Sequence, residues 1–308
     1  MPLLPVAVGR SAGLSDTGRK RRQNEDAYVC EPPLFAIADG MGGAQAGEVA
    51  SRLAAAAFEE GAAAIHGEEG VATVVRAANA KIFERAVHDP AVAGMGTTAT
   101  VAVVDGAAAT VTIAHVGDSR AYLYRNGVLE QLTTDHSLVG EMVRSGRLTE
   151  DEAAVHPHRS VITRALGTDA DVEVDTLTLE AGPGDLVLLC SDGLSAMVRD
   201  EEIVRVLESA EGAPRESAEA LVSAANAAGG EDNVTVVLFE LVDPEAEPAP
   251  TLVPGAEELE DDEDGPDGPT LEDVRRHGAG KGSRWPALLV LLAILAAAAV
   301  VLWWSLLR

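Results

Sequence analysis

Along Val71 to Val87 the apolar residues Val71, Val74, Val75, Ala78 and Ile82 recur at the spacing of one helical face, which predicts a helix. Ala44 to Ile65 also reads as a helix, and the short glycine-bounded link makes the two antiparallel neighbours. The pattern then changes. Thr97 to Val104, Ala109 to Val116 and Arg120 to Tyr124 are β-rich runs separated by Asp105-Gly106 and Gly117-Asp118, which predicts an antiparallel meander of hairpins. A polar, helix-prone stretch from His136 to Leu166 follows, with Thr149 and Glu152 at capping-box spacing. Strands are expected near Val172 to Leu179, Asp185 to Cys190 and Val234 to Leu241, with helices from Asp200 to Glu208 and Pro214 to Ala227 between the last two. Strand and helix blocks that do not alternate strictly argue for α+β layers over antiparallel sheets.

The end of the chain departs from this pattern. Trp285 to Leu307 runs for 23 residues without a charge, long enough as a helix to span roughly 34 Å and cross a bilayer. All three tryptophans, Trp285, Trp303 and Trp304, sit near its two ends, where indoles favour the membrane interfaces. Arg275, Arg276, Lys281 and Arg284 precede this span and only Arg308 follows it, so the positive-inside rule keeps the N-terminal part in the cytoplasm. Residues 243–284, with six prolines, six glycines and the acidic cluster Glu257 to Asp264, cannot bury enough apolar surface to fold and are expected to be a disordered tether.

Charge narrows the function. Of the 50 Asp and Glu against 23 Lys and Arg, 37 acids and 18 bases lie in residues 1–242, a net −19 that argues against a nucleic-acid-binding face. Cys30 and Cys190 are too few and too far apart for a disulfide framework, and a reducing compartment fits.

The informative carboxylates lie at strand ends. Tyr28 to Cys30 and Leu34 to Ala38 flank Glu31-Pro32-Pro33, and a hairpin centred on the prolyl pair sets Asp26 opposite Asp39. Leu186 to Cys190 ends just before Asp192-Gly193, and Val234 to Phe239 begins just after Asp232-Asn233, so antiparallel pairing of these runs brings their aspartates to one sheet end. Carboxylates so close repel one another unless a cation compensates, and all-oxygen ligation suits Mg2+ or Mn2+. Asp-Gly pairs are also ordinary turns, as Asp105-Gly106 is expected to be. Glycine beside Asp39 and Asp192 is expected to let the chain turn sharply.

Six motifs resolve that ambiguity: Ser15-Asp16-x-Gly18-x-x-Arg21-x-x-Asn24-Glu25-Asp26, Ala38-Asp39-Gly40-Met41-Gly42-Gly43, Gly96-Thr97-Thr98, Val116-Gly117-Asp118-Ser119-Arg120, Ser191-Asp192-Gly193 and Glu231-Asp232-Asn233. In this order, over about residues 10–241, the chain resembles the metal-dependent protein serine/threonine phosphatases of the 2C type, especially their bacterial branch. The resemblance implies a four-layer α-β-β-α sandwich with two central antiparallel sheets, spanning residues 1–242, with a flap at about 136–166 beside the active site. It further implies two Mn2+ or Mg2+ ions, with Asp39 bridging them, the Gly40 carbonyl on one of them, Asp192 and Asp232 as further ligands, and Asp26 binding through water. Asp118 matches the family's ligand for a third, weaker ion, and Arg21 its phosphate-holding arginine, among the basic neighbours Arg19, Lys20 and Arg22. The reaction implied is attack of a metal-held water on phosphorus, in line with the serine or threonine oxygen. Met41 stands where eukaryotic relatives carry a histidine proposed to protonate the leaving group, which leaves the general acid open.

The expected partners are phosphorylated proteins, among them Ser/Thr kinases and their substrates, with the membrane bound through the C-terminal helix and no nucleic acid. A phosphoprotein-binding adaptor on the same fold is the alternative, and loss of a metal ligand would favour it. His156-Pro157-His158 in the flap reads as surface or hydrogen-bonding chemistry and not as a zinc site, because no cysteine partners it.

Overall fold

Period-two alternation in the central strands dictates the layers. In the computed structural model, which describes residues 5–42 and 46–245, strands β1 (Ala7–Asp16), β7 (Arg120–Arg125), β8 (Val128–Gln131), β10 (Leu186–Cys190) and β11 (Val234–Val242) form one antiparallel sheet in the order β1-β11-β10-β7-β8. Strands β2 (Asp26–Glu31), β3 (Leu34–Met41), β5 (Ala99–Asp105), β6 (Thr110–Val116) and β9 (Asp175–Glu180) form the second in the order β2-β3-β5-β6-β9, with the two-residue β4 (Gly96–Thr97) against β3.

Successive side chains point to opposite faces of a strand. On β3, Phe35 and Ile37 enter a core between the sheets, whereas Leu34, Ala36 and Ala38 face helices α1 (Ala46–Gly61) and α2 (Gly67–His88). On β11, Val237, Phe239 and Leu241 meet that same inter-sheet core, while Val234, Val236 and Leu238 face α5 (Asp192–Ser195), α6 (Asp200–Ser209) and α7 (Pro214–Ala227). Phe35 and Phe239 stack across the middle with ring centroids 4.0 Å apart. The outcome is the α-β-β-α sandwich, with three apolar layers. The flap carries two short helices, α3 (Leu138–Arg144) and α4 (Glu150–Ala154), and the Thr149–Glu152 capping box closes the start of α4.

Several expectations change. β6 and β7 lie in different sheets, so Gly117-Asp118 is not the turn of a hairpin within one meander; the chain crosses from one sheet to the other there. β1 and β8 were not predicted: β1 holds Gly9 and Gly13, which weaken its β signature, and a Cβ on Gly13 would lie 2.3 Å from the Tyr28 ring. The strand expected from Val172 starts at Asp175, where pairing with His115 begins.

Among the described residues no helix is long and apolar enough to cross a membrane. The expected span, residues 285–307, lies outside the described residues, as does the tether beyond residue 245.

Candidate metal centre

Two hairpin registers and two sheet crossings build the site. β2 pairs with β3 so that Asp26 sits directly opposite Asp39, as the prolyl-centred hairpin predicts. β10 and β11 are antiparallel neighbours, with Cys190 opposite Val236, which brings Asp192 and the Asp232-Asn233 segment to the same sheet end. Asp16 closes β1 opposite Val234, so residues 17–25 cross from the first sheet to the second over that end and carry Arg21. The other crossing, between β6 and β7, carries Asp118.

Burial makes this assembly electrostatically unfavourable on its own. Asp39 is pushed well above the usual carboxylate range by burial first and then by Asp26, Asp192, Asp118 and Asp232. Burial also raises Asp118 to about 8, with Asp192 and Asp135 adding to it. Asp26 rises to about 7 through burial, offset in part by the hydrogen bond from Thr235. Asp192 rises to about 6, again by burial, then by Asp232. Buried Oδ1 atoms of Asp26, Asp118 and Asp192 have no hydrogen-bond partner. Buried acceptors left unpaired are costly, and a hard divalent cation is the partner that an all-oxygen set of this charge fits. Among the described residues no three carboxylate, imidazole or thiol side chains converge as a complete cage. An ion held here would need carbonyl and water oxygens as well, as Mg2+ commonly does.

Hydroxyls hold the carboxylates in place, a part of the site that the sequence reading did not foresee. Thr235 Oγ1 donates to Asp26 Oδ2 at 2.6 Å. That leaves Ser15 Oγ to donate to Thr235 Oγ1 (2.7 Å) and the Asn24 amide to donate to Ser15 (2.7 Å), a directed chain that orients Asp26. The Asp39 N–H donates to Thr98 Oγ1 (2.9 Å), which in turn contacts Ser119 Oγ (2.7 Å). Asn233 binds the crossing loop, accepting from the Glu25 N–H and donating to the Thr17 and Gln23 carbonyls. Ser15, Asn24, Thr98, Ser119 and Asn233 stand within the motifs, but Thr235 does not, and nothing in the motifs shows which of these residues meet.

The glycines act differently from expectation. Gly40 lies within β3 and Gly193 is the second residue of α5, and neither needs a left-handed backbone. A Cβ on Gly193 would meet the Asn233 carbonyl at 2.0 Å, and one on Gly40 would meet the Gly47 and Glu25 carbonyls at 2.3 and 2.4 Å. Close backbone approach therefore selects glycine at both.

Arg21 reaches the cluster's rim, where its Nη2 lies 2.6 Å from Asp232 Oδ2. Arg19, Lys20 and Arg22 stay exposed on the same loop. Met41 pairs with Gly96 on β4, and its side chain packs toward that glycine. In the flap, His156 Nδ1 accepts from the His158 N–H at 3.2 Å. A cavity of about 500 Å3 lined by Tyr124, Asp185, Leu207 and Glu240 lies at the opposite end of β11 and contains none of the candidate residues.

The crowding predicts a pH effect on the metal-free protein. Raised folded-state values mean that the folded form retains protons which the unfolded chain, with carboxyls near 3.8, releases, so stability falls as pH rises through about 7 for Asp26 and about 8 for Asp118. His115, lowered to about 4, and His136, also lowered, act in the opposite sense, but only below the ordinary histidine value of 6.5. Thermal unfolding in chelator should therefore give a lower Tm at pH 8.5 than at pH 6.5, and Mn2+ should remove the difference. Equal Tm values in chelator at both pH values would contradict the crowding.

Known proteins give an independent comparison. The family model described as protein phosphatase 2C matches residues 17–234. The serine/threonine phosphatase stp of Listeria monocytogenes is 42% identical over 238 residues, covering 73% of this chain and 93% of the relative. The crystal structure of the Mycobacterium tuberculosis serine/threonine phosphatase PstP/Ppp superposes with a TM-score of 0.72 at 43% identity, covering 77% of this chain and all of that one. A structure of the PstP catalytic domain in complex with two manganese ions is 42% identical, with a TM-score of 0.70, covering 77% of this chain and 99% of that one.

Proposed function

Because the chain belongs to the protein phosphatase 2C family, we propose that it is a metal-dependent protein phosphatase that hydrolyses phosphoserine and phosphothreonine in proteins. The observation that carries this reading is the buried carboxylate cluster with its unpartnered Oδ1 atoms at the end of the two sheets. Asp39, Asp192 and Asp232, with the Gly40 carbonyl, would hold two Mn2+ or Mg2+ ions, Asp26 would bind through water, and Asp118 would serve a third. Such ions supply a water acidic enough to attack near neutral pH, together with compensation for phosphoryl charge.

The chain's own residues do the rest. Thr235 and Thr98 keep Asp26 and the Asp39 backbone aimed at the centre, so little reorganisation accompanies reaction. Arg21, on the crossing loop, presents a planar guanidinium that can hold two phosphate oxygens once it exchanges its Asp232 contact for substrate. Arg21→Ala should lower kcat/KM by about 10- to 100-fold, the scale of a lost charge-assisted hydrogen bond of about 1.5–3 kcal/mol. Calorimetric Mn2+ affinity should be retained in that variant; a loss would reassign Arg21 to the metal centre.

The tether and the apolar C-terminal segment support a membrane-anchored enzyme whose catalytic domain faces the cytoplasm and opposes Ser/Thr kinases there. The activity is tested by stripping metal with chelator and measuring phosphate release from phosphothreonine and phosphoserine peptides. Activity should vanish and return with Mn2+; turnover indifferent to chelator and to Mn2+ would refute the reading.

A further inference from the structure

Gly117 stands immediately before Asp118 with φ of +113°, a conformation that L side chains rarely adopt, and glycine is the residue with most backbone freedom to lose. Left alone, that link would let the Asp118 carboxylate wander. Ser119, on the other side, is tied down by Thr98 Oγ1 (2.7 Å) and, through its carbonyl, by Thr100 Oγ1 (3.1 Å). Gly117 is tied down by one residue, His136, through both of its backbone groups. The Gly117 N–H donates to His136 Nδ1 at 3.0 Å, and the His136 N–H donates to the Gly117 carbonyl at 2.7 Å. Both peptide planes flanking Gly117 are thereby fixed.

His136 is also where the flap begins. Its carbonyl accepts from the Thr163 N–H at 2.8 Å, and the adjacent Ser137 bridges to Ile162, so the two flap stems meet at this residue. Because Nδ1 accepts from Gly117, the ring proton sits on Nε2 and donates to Asp175 Oδ2 at 3.1 Å. Asp175 is held in turn by Arg164 Nη1 at 2.6 Å, on the returning flap stem. The imidazole, only 4% exposed, is thus fully engaged and takes no part in the chemistry proposed for the carboxylates. Arg120, next in the crossing, forks onto Asp135 at 3.0 and 2.8 Å, which seats the backbone leading into His136.

We propose that His136 is a positioning residue that clamps the Gly117 peptide, so that the flap stem and the Asp118 carboxylate move as one unit and the affinity of the ion at Asp118 depends on the flap base. The inference rests on the reading of Asp118 as a metal ligand. His136 acts through the backbone of the neighbouring glycine, as partners behind metal ligands do.

Two substitutions separate the halves of the clamp. His136→Asn places Oδ1 where Nδ1 stands and keeps the acceptor for Gly117 while losing the Asp175 contact. His136→Gln reaches toward Asp175 and loses the Gly117 acceptor. Mn2+ binding to the full chain, followed by calorimetry and by electron paramagnetic resonance of free Mn2+, should show the weakest site loosened about 10- to 100-fold in His136→Gln, the range for partners behind a ligand. That site should remain parental in His136→Asn. Amide hydrogen exchange at Gly117 should accelerate in His136→Gln alone. In an Asp118→Asn background, which should itself remove the weakest site, His136→Gln should change Mn2+ binding no further. Equal Mn2+ binding in both His136 variants, or equal loss of Tm with unchanged Mn2+ affinity, would overturn the clamp and leave the phosphatase reading intact. Unaltered Mn2+ binding in Asp118→Asn would overturn the clamp together with the assignment of Asp118.

Discussion

Asp39→Asn should abolish phosphatase activity and at the same time leave a folded protein that is more stable than its parent in the absence of metal. The two effects share one cause. Asp39 lies among Asp26, Asp118, Asp192 and Asp232, and its carboxylate is disfavoured by desolvation and by each of those neighbours. A neutral amide of nearly the same shape relieves that repulsion, so the chelated variant should melt above the chelated parent. The same change removes the charge that makes a divalent cation welcome, and Mn2+, which should raise the Tm of the parent, should not raise that of the variant. Activity on p-nitrophenyl phosphate should fall by about three orders of magnitude or more, as when one member of an interdependent catalytic set is lost. Asp192→Asn should behave alike, for its carboxylate too is disfavoured by burial and by Asp232, and its buried Oδ1 is unpartnered. Near-parental turnover by either variant would remove these residues from the centre, and a variant that fails to fold would point to a structural role instead.

The convergence of Asp26 and Asp39 was legible because a prolyl pair fixes the centre of a hairpin, and the centre fixes every cross-strand partner. The β10–β11 end followed from two apolar runs whose aspartates lie just outside them. What the local pattern did not encode is which sheet a strand joins. Val116-Gly117-Asp118-Ser119 has the residue types of a turn, yet β6 and β7 separate there into different sheets, because both need apolar contacts that only distant strands supply. That crossing places Asp118 near the other carboxylates. The hydroxyl chain from Asn24 through Ser15 and Thr235 to Asp26 was likewise invisible, since it joins residues about 210 positions apart. Gly40 and Gly193 were expected to let the chain turn sharply, but backbone crowding is what selects glycine there, and it appears only once Gly47, Glu25 and Asn233 are in place.

If the proposed C-terminal anchor holds, truncation after Val242 should release the protein from membranes and leave its specific activity on a small substrate unchanged. The expectation rests on the 23 uncharged residues from Trp285 to Leu307 and on an acidic, Pro- and Gly-rich sequence, 243–284, that contributes no candidate ligand. The full chain should sediment with membranes and resist extraction by high salt, whereas residues 1–242 should stay in the supernatant. Protease added outside intact spheroplasts should leave the catalytic domain whole, because the basic flank Arg275, Arg276, Lys281 and Arg284 precedes the span. An inactive truncated form, or cleavage of the domain from outside, would contradict this arrangement.

The central claim is that the carboxylates at the sheet ends hold the catalytic metal ions. Anomalous X-ray scattering at the manganese edge, from crystals of residues 1–242 grown with Mn2+, tests it most directly. The account predicts two strong peaks bounded by Asp39, the Gly40 carbonyl, Asp192 and Asp232, with Asp26 one water away and a weaker peak at Asp118. Peaks confined to other carboxylates, or a cluster that stays free of manganese while the crystals hydrolyse phosphopeptide, would contradict it.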